Sequence, residues 1–141
     1  MTDLELIDFV SSKIIEQGRL AKDKNGKCRY RLHEGDKVYK CAAGHLIPDS
    51  KYTVELEGLG CYGLKSDSSI NIVQEILIEE GYNPYIVSKL QILHDNSKNI
   101  EEFVLCMENV KRKIQEGTTL SKIHAYGILD EVSETQKLFH I

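Results

Sequence analysis

The sequence has no apolar run approaching the ~18 residues that a membrane-spanning helix needs, so no span is expected. It also lacks a basic excess. Lys and Arg number 18 against 22 Asp and Glu, a net charge of −4, which argues against general nucleic-acid binding. The acidic surplus is too mild to imitate a DNA backbone. The opening segment, MTDLELIDFV, lacks the positive stretch that begins a signal peptide. No Cys-x-x-Cys pair, internal repeat, low-complexity tract or linker interrupts the chain. The expectation is a cytoplasmic protein with one domain over residues 1–141, long enough to bury a core. Its four cysteines then read as free thiols, metal ligands or a nucleophile rather than as a disulfide framework.

The chain reads as a helical start, an irregular middle and a helical finish. Residues 2–17 form a helix in which Thr2 and Glu5 match a capping box. Leu4, Ile7, Val10 and Ile14 make its apolar stripe, widened by Leu6, Phe9 and Ile15, and Gly18 is its stop. Lys27–Leu32 and Lys37–Cys41 read as strands joined by the turn HEGD. CAAGHL predicts one or two helical turns ended by Pro48. EGLGCYGLKSDSS, with Gly58, Gly60 and Gly63, reads as a long loop of the functional kind.

Beyond Ser69 the period is helical again. Ile70, Val73, Ile76 and Leu77 share a face, and Gly81 ends that helix. Asn83-Pro84 opens the next, which buries Ile86, Leu90 and Leu93. Asn99 and Glu102 start another, with Phe103, Cys106, Met107, Val110 and Ile114 as its stripe and Gly117 as its end. Thr118–Ile141 reads as one or two shorter helices. The expected fold is α+β: a mainly helical single domain with a small antiparallel β-hairpin.

KCAAGHLIPDSKY, residues 40–52, concentrates the residues able to do chemistry. Cys41 stands at a strand-to-helix junction, where the positive end of a helix dipole would favour thiolate. A cysteine hydrolase or transferase would pair Cys41 with His94 as base, with Asp95 or Asp49 as its orienter. Adjacent helical side chains diverge, which counts against Asp95 in that role. The plainer reading makes Cys41 a small buried residue and His94 a cap on its helix end. His45, four residues after Cys41, shares its face on a helix. With Cys28 and Cys61 the two would complete a zinc set, without the close ligand pairs typical of such sites.

Arg29 and Arg31 share one face of the first strand and are suited to a carboxylate or phosphate. Asp49, Tyr52, Glu55 and Glu57 gather after Pro48. Asp49 and Tyr52 join the two arginines as candidate ligand-binding residues, although Asp49 is equally placed to cap a helix opening at Ser50. His33, His124 and His140 have no partner at a recognisable spacing.

CRYR, then KCAAGHLIPDSKY and EG, then LQILHD at Leu90–Asp95, resemble a family of small proteins common in bacteriophages and prophages. Its members carry Cys-x-x-Gly-x-Leu-Ile-Pro-Asp after a short hairpin, often with a downstream LQ-x-x-HD helix. The resemblance spans residues 26–95. It marks Cys41, Gly44, Leu46, Ile47, Pro48, Asp49, Tyr52, His94 and Asp95, and not His45. It implies that the hairpin and corner pack near His94, with Cys41, Asp49 and His94 as neighbours. It also implies an accessory protein of the host cytoplasm that binds a host protein or a small defence-related ligand and so inhibits host defence. Cysteine catalysis and a zinc-stabilised binding module are the alternatives.

Overall fold

The structure is a computed structural model and describes residues 1–61 and 70–139. Residues 62–69 of the long loop, Gly63 among them, lie outside the described residues, as does His140.

Helix α1 spans Asp3–Gln17 and opens on the expected box, with Thr2 Oγ1 accepting the Glu5 N–H and Glu5 accepting that of Thr2. It closes at Gly18, whose left-handed φ of 86° lets its N–H reach the carbonyls of Ile14 and Ile15. Leu6, Ile7, Val10 and Ile14 are buried, whereas Ile15, read as part of the stripe, is half exposed.

The hairpin consists of β1, Arg31–Glu34, and β2, Lys37–Lys40, antiparallel with Leu32 opposite Tyr39 and Glu34 opposite Lys37. Its turn is therefore the two residues Gly35-Asp36, and His33 and Glu34 belong to the strand. The predicted first strand began too early for a physical reason. The segment before Arg31 pairs backwards: Cys28 bridges to Lys22, and the Arg29 N–H donates to the Ala21 carbonyl at 2.9 Å. The N–H groups of Tyr30 and Arg31 then go to the Glu57 carboxylate, at 2.9 and 3.1 Å.

After the hairpin the chain makes short 3-10 turns at Ala43–Leu46, Asp49–Lys51 and Val54–Leu56 rather than an α-helix. Helices α2 (Ile72–Glu79), α3 (Pro84–Asn96), α4 (Ile100–Gln115) and α5 (Ala125–Phe139) follow, with a 3-10 turn at Leu120–Lys122. Asn71 caps α2 through a box with Gln74 that the sequence reading missed, and this leaves Ile70 outside the helix and half exposed. Asn83 and Asn99 cap α3 and α4 as expected. His124 also finds a partner at the start of α5, where its Nδ1 accepts the Gly127 N–H at 3.0 Å.

Helix α1 packs on α4, and α5 packs on both α3 and α4. Phe103, Leu90, Leu93, Val110 and Ile128 lie in one core with Ala42, Ala43 and Leu46 of the corner, so the hairpin unit shares the helical core. The result is a mainly helical α+β single domain with a two-stranded antiparallel sheet. Among the described residues no helix is long and apolar enough to cross a membrane.

Candidate functional site

The corner, residues 41–52, is held from three sides. Cys41 is 1% exposed, and its sulfur accepts the Gly44 N–H at 3.3 Å. Burial pushes this thiol well above the usual cysteine range, Asp95 and Cys61 add to that push, and the Gly44 N–H only partly opposes it. The thiolate expected from a helix dipole is therefore not favoured. A four-residue 3-10 turn supplies little dipole, and desolvation outweighs it. Gly44 has a different constraint: a Cβ there would stand 2.2 Å from the Tyr30 carbonyl oxygen, so the backbone itself fills that space.

On the α3 side, the Ala43 N–H donates to Gln91 Oε1 at 2.8 Å, and Gln91 Nε2 donates to Asp95 Oδ1 at 2.6 Å. The same Asp95 oxygen lies 3.0 Å from His94 Nδ1. His94 Nε2 accepts the Ala21 N–H at 3.1 Å, so the ring proton is on Nδ1 and is donated to Asp95. Asp95 thus does orient His94, against the expectation from helical geometry, because the carboxylate of the next residue folds back to the ring. His94 does not cap its helix. It is fully buried, with its ring edge-on to Phe103 at 6.0 Å.

The thiol that the fold brings beside this pair is Cys28. One ligand atom from each of Cys28, His94 and Asp95 lies within 4.8 Å of the others. Both imidazole nitrogens are already committed, however. A metal on Nδ1 would require the proton on Nε2, which faces the Ala21 donor. The same commitment removes Nε2 as a general base toward either thiol. Cys28 is half-buried, and burial followed by Asp95 pushes its thiol up to about 12.

Of the proposed zinc residues, Cys28, Cys41 and Cys61 line one cavity of about 200 Å³ together with Tyr30, Gln91 and Asp95. His45 is elsewhere. Its Nε2–H donates to Gln17 Oε1 at 2.9 Å, and that oxygen also accepts the Lys40 N–H at 3.0 Å. Gln17 Nε2 donates to the Arg19 and Lys40 carbonyls, which locks the amide orientation. Burial first, then the charges of Lys40 and Lys13, bring His45 down to about 4. It is a neutral imidazole at neutral pH.

The ligand-binding set divides in a similar way. Arg29 precedes β1 and pairs with Asp23 at 3.3 Å, so it shares no strand face with Arg31. Arg31, Asp49 and Tyr52 do come together. Arg31 Nη2 lies 2.6 Å from Asp49 Oδ1 and 3.3 Å from the Ile47 carbonyl, with the guanidinium 4.4 Å over the Tyr52 ring. Its Nε is buried and has no hydrogen-bond partner among the described residues. The Tyr52 hydroxyl donates to Glu57 at 2.7 Å, and burial followed by Glu57 pushes that phenol up to about 12. Asp49 caps no helix, since its carboxylate turns to Arg31 instead. Lys40 and then Arg31 hold Asp49 below its usual range.

Beside this corner a groove of about 540 Å³ runs between the end of α1 and β2, lined by Lys13, Glu16, Gln17, Val38, Lys40, His45, Ile47, Pro48 and Asp49. Asp49 lies on this side, away from the thiol cavity, so Cys41 and Asp49 occupy different cavities. Sequence reasoning missed Gln17 and Gln91, because each bonds a backbone group far along the chain and carries no local signature. Comparison with protein-family models, curated proteins and solved structures gave no match.

Proposed function

We propose that this protein is a phage-type accessory protein that binds a host protein or a small defence-related ligand and thereby inhibits host defence. The observation that carries the binding role is the groove beside the corner, open and lined by charged and apolar side chains. The groups suited to catalysis are closed in internal hydrogen bonds. Cys41 is buried against Gly44, and His94 is bonded at both nitrogens. The phage and host assignment rests on the resemblance of residues 26–95. Cysteine catalysis by Cys41 and His94 has less support, because the thiol is protonated and the histidine lone pair is taken.

The test is affinity capture from a bacterial host lysate with the wild-type chain and with Lys13→Glu/Lys40→Glu, both checked for equal melting temperature. A partner held by the wild type and lost by the variant supports the reading. A partner held equally by both removes the groove from the function, and capture of nothing specific by the wild type counts against a host-binding role.

A further inference from the structure

We propose that the groove receives an extended acidic peptide segment of a partner protein, which pairs with the edge of β2 that no strand covers among the described residues and sets a carboxylate among Lys13, Lys40 and Arg31. This rests on the binding role above and names the chemistry of the occupant.

The edge follows from the hairpin register. Lys40 has its N–H and C=O turned to Gln17, away from Arg31, so Arg31 opposite Lys40 is a non-hydrogen-bonded pair. Pairs alternate along an antiparallel ladder, so Leu32 and Tyr39 exchange hydrogen bonds and Val38, opposite His33, turns its N–H and C=O outward. Val38 and Lys40 therefore present their backbone on the same outer edge. Gln17 already imitates a third strand at Lys40, while Val38 lines the groove and is 42% exposed as a residue. An extended peptide continues what Gln17 begins.

The charge argument concerns Asp49. Its side chain is 82% exposed, yet it serves Arg31, whose side chain is only 11% exposed, and it also lies 3.6 Å from Lys40 Nζ. A buried guanidinium is thus answered by a carboxylate that stands in solvent and can turn away. The groove, together with the Arg31 guanidinium that binds its lining residues Asp49 and Ile47, carries Lys13, Lys40 and Arg31 against Glu16 and Asp49. Turning Asp49 outward leaves three cations facing one carboxylate. Asp49 is then an internal stand-in for the acidic residue of the partner. Val38, Ile47 and Pro48 add apolar wall, which suits a polypeptide better than a bare inorganic anion.

The experiment measures fluorescence anisotropy of a labelled glutamate-rich hexapeptide on the full chain, at low and at physiological salt. Asp49→Asn removes the competitor and should tighten binding about fivefold, the scale of one solvent-screened charge pair. Lys13→Gln/Lys40→Gln should weaken it by at least that factor. Val38→Pro removes an outward N–H that the hairpin does not use, so it should weaken binding while the melting temperature holds. In the wild type, the His45 ring resonances should move on peptide addition, which reports the site independently of the variants.

Peptide binding that is unchanged in folded Asp49→Asn and in Val38→Pro overturns the proposal. So does inorganic phosphate displacing the peptide at equal concentration, which would make the site a general anion site. If the acidic peptide fails to bind while the captured partner is still lost in the charge-reversed chain, the binding role stands and this inference falls. If both fail, both fall.

Discussion

His94 Nε2 accepts the backbone N–H of Ala21 at 3.1 Å, although 73 residues separate the two in sequence. This bond joins the segment after α1 to the last turn of α3, and it sets the imidazole tautomer that faces Asp95. His94→Ala removes a fully buried ring and orphans the Ala21 donor, so it should cost about 3 kcal/mol or more in chemical denaturation. His94→Gln can place an amide oxygen near the lost nitrogen and should cost clearly less. Equal losses in both variants would deny the hydrogen bond its role. Amide exchange at Ala21 reads the same bond directly.

Gly44→Ala tests the corner. The added Cβ meets the Tyr30 carbonyl oxygen at 2.2 Å, and neither partner is a flexible side-chain end. The expected loss is about 3 kcal/mol, at the upper end for overpacking, seen as a lower denaturation midpoint. Gly58→Ala is the comparison. It meets no atom of the described residues within 4 Å and pays for its left-handed φ of 86°, about 1 kcal/mol. A smaller loss at Gly44 than at Gly58 would sink the close-packing account of the motif glycine.

His45 predicts a specific pH dependence. Its folded value of about 4 lies below its ordinary value of about 6.5. As pH falls, the unfolded chain takes up this proton first, so stability declines from about pH 6.5 to about pH 4 and then levels off for this group. The half-buried ring keeps some solvent screening, so the decline should be about 1–2 kcal/mol. His45→Gln should flatten that window. Asp49 and Asp23, both held below their usual range, act at lower pH, where acid removes their stabilising charge. A decline of the same size in His45→Gln would assign the window to another group.

Thiol alkylation near neutral pH should be slow throughout the native chain. Burial raises all four cysteines: Cys28 and Cys61 to about 12, Cys106 to about 11, and Cys41 well above its usual range. Iodoacetamide with mass spectrometry should find Cys41 labelled at least about a hundredfold more slowly in the native chain than in urea. The half-buried Cys28 should react before it. Rapid, selective labelling of Cys41 in the folded protein would restore the nucleophile reading.

Glu57 ties the start of the hairpin to the corner by accepting the N–H groups of Tyr30 and Arg31 and the Tyr52 hydroxyl. Glu57→Ala should cost about 2–3 kcal/mol, because partly buried donors lose a charged acceptor. Tyr52→Phe should cost about 1 kcal/mol, the worth of one such bond. A Tyr52→Phe loss as large as that of Glu57→Ala would mean that the backbone bonds contribute nothing.

Local chemistry was legible in the sequence. Thr2 with Glu5, Gly18, Asn83-Pro84 and Asn99 act within a few residues of themselves, and each caps its helix as read. The helical stripes were legible for the same reason, apart from Ile15 and Ile70 at their margins and Ile86, which is only partly buried while its neighbour Val87 takes the core position. The strand start was not, because Glu57 captures the Tyr30 and Arg31 amides from outside the hairpin. Nor was the Arg29 and Arg31 pairing, since Asp23 holds one and Asp49 the other.

By itself, the sequence determined a mainly helical chain with one small hairpin, and it marked residues 40–52 as the place where unusual residues gather. Periodicity and capping depend on neighbours along the chain, so one strand of text carries them. Only the tertiary structure decided what that segment does. It separated His45 from the three cysteines, placed Cys28 rather than Cys41 beside His94, and turned Asp49 onto Arg31. The state of a thiol or an imidazole depends on burial and on hydrogen-bond partners from distant segments, and packing alone sets both.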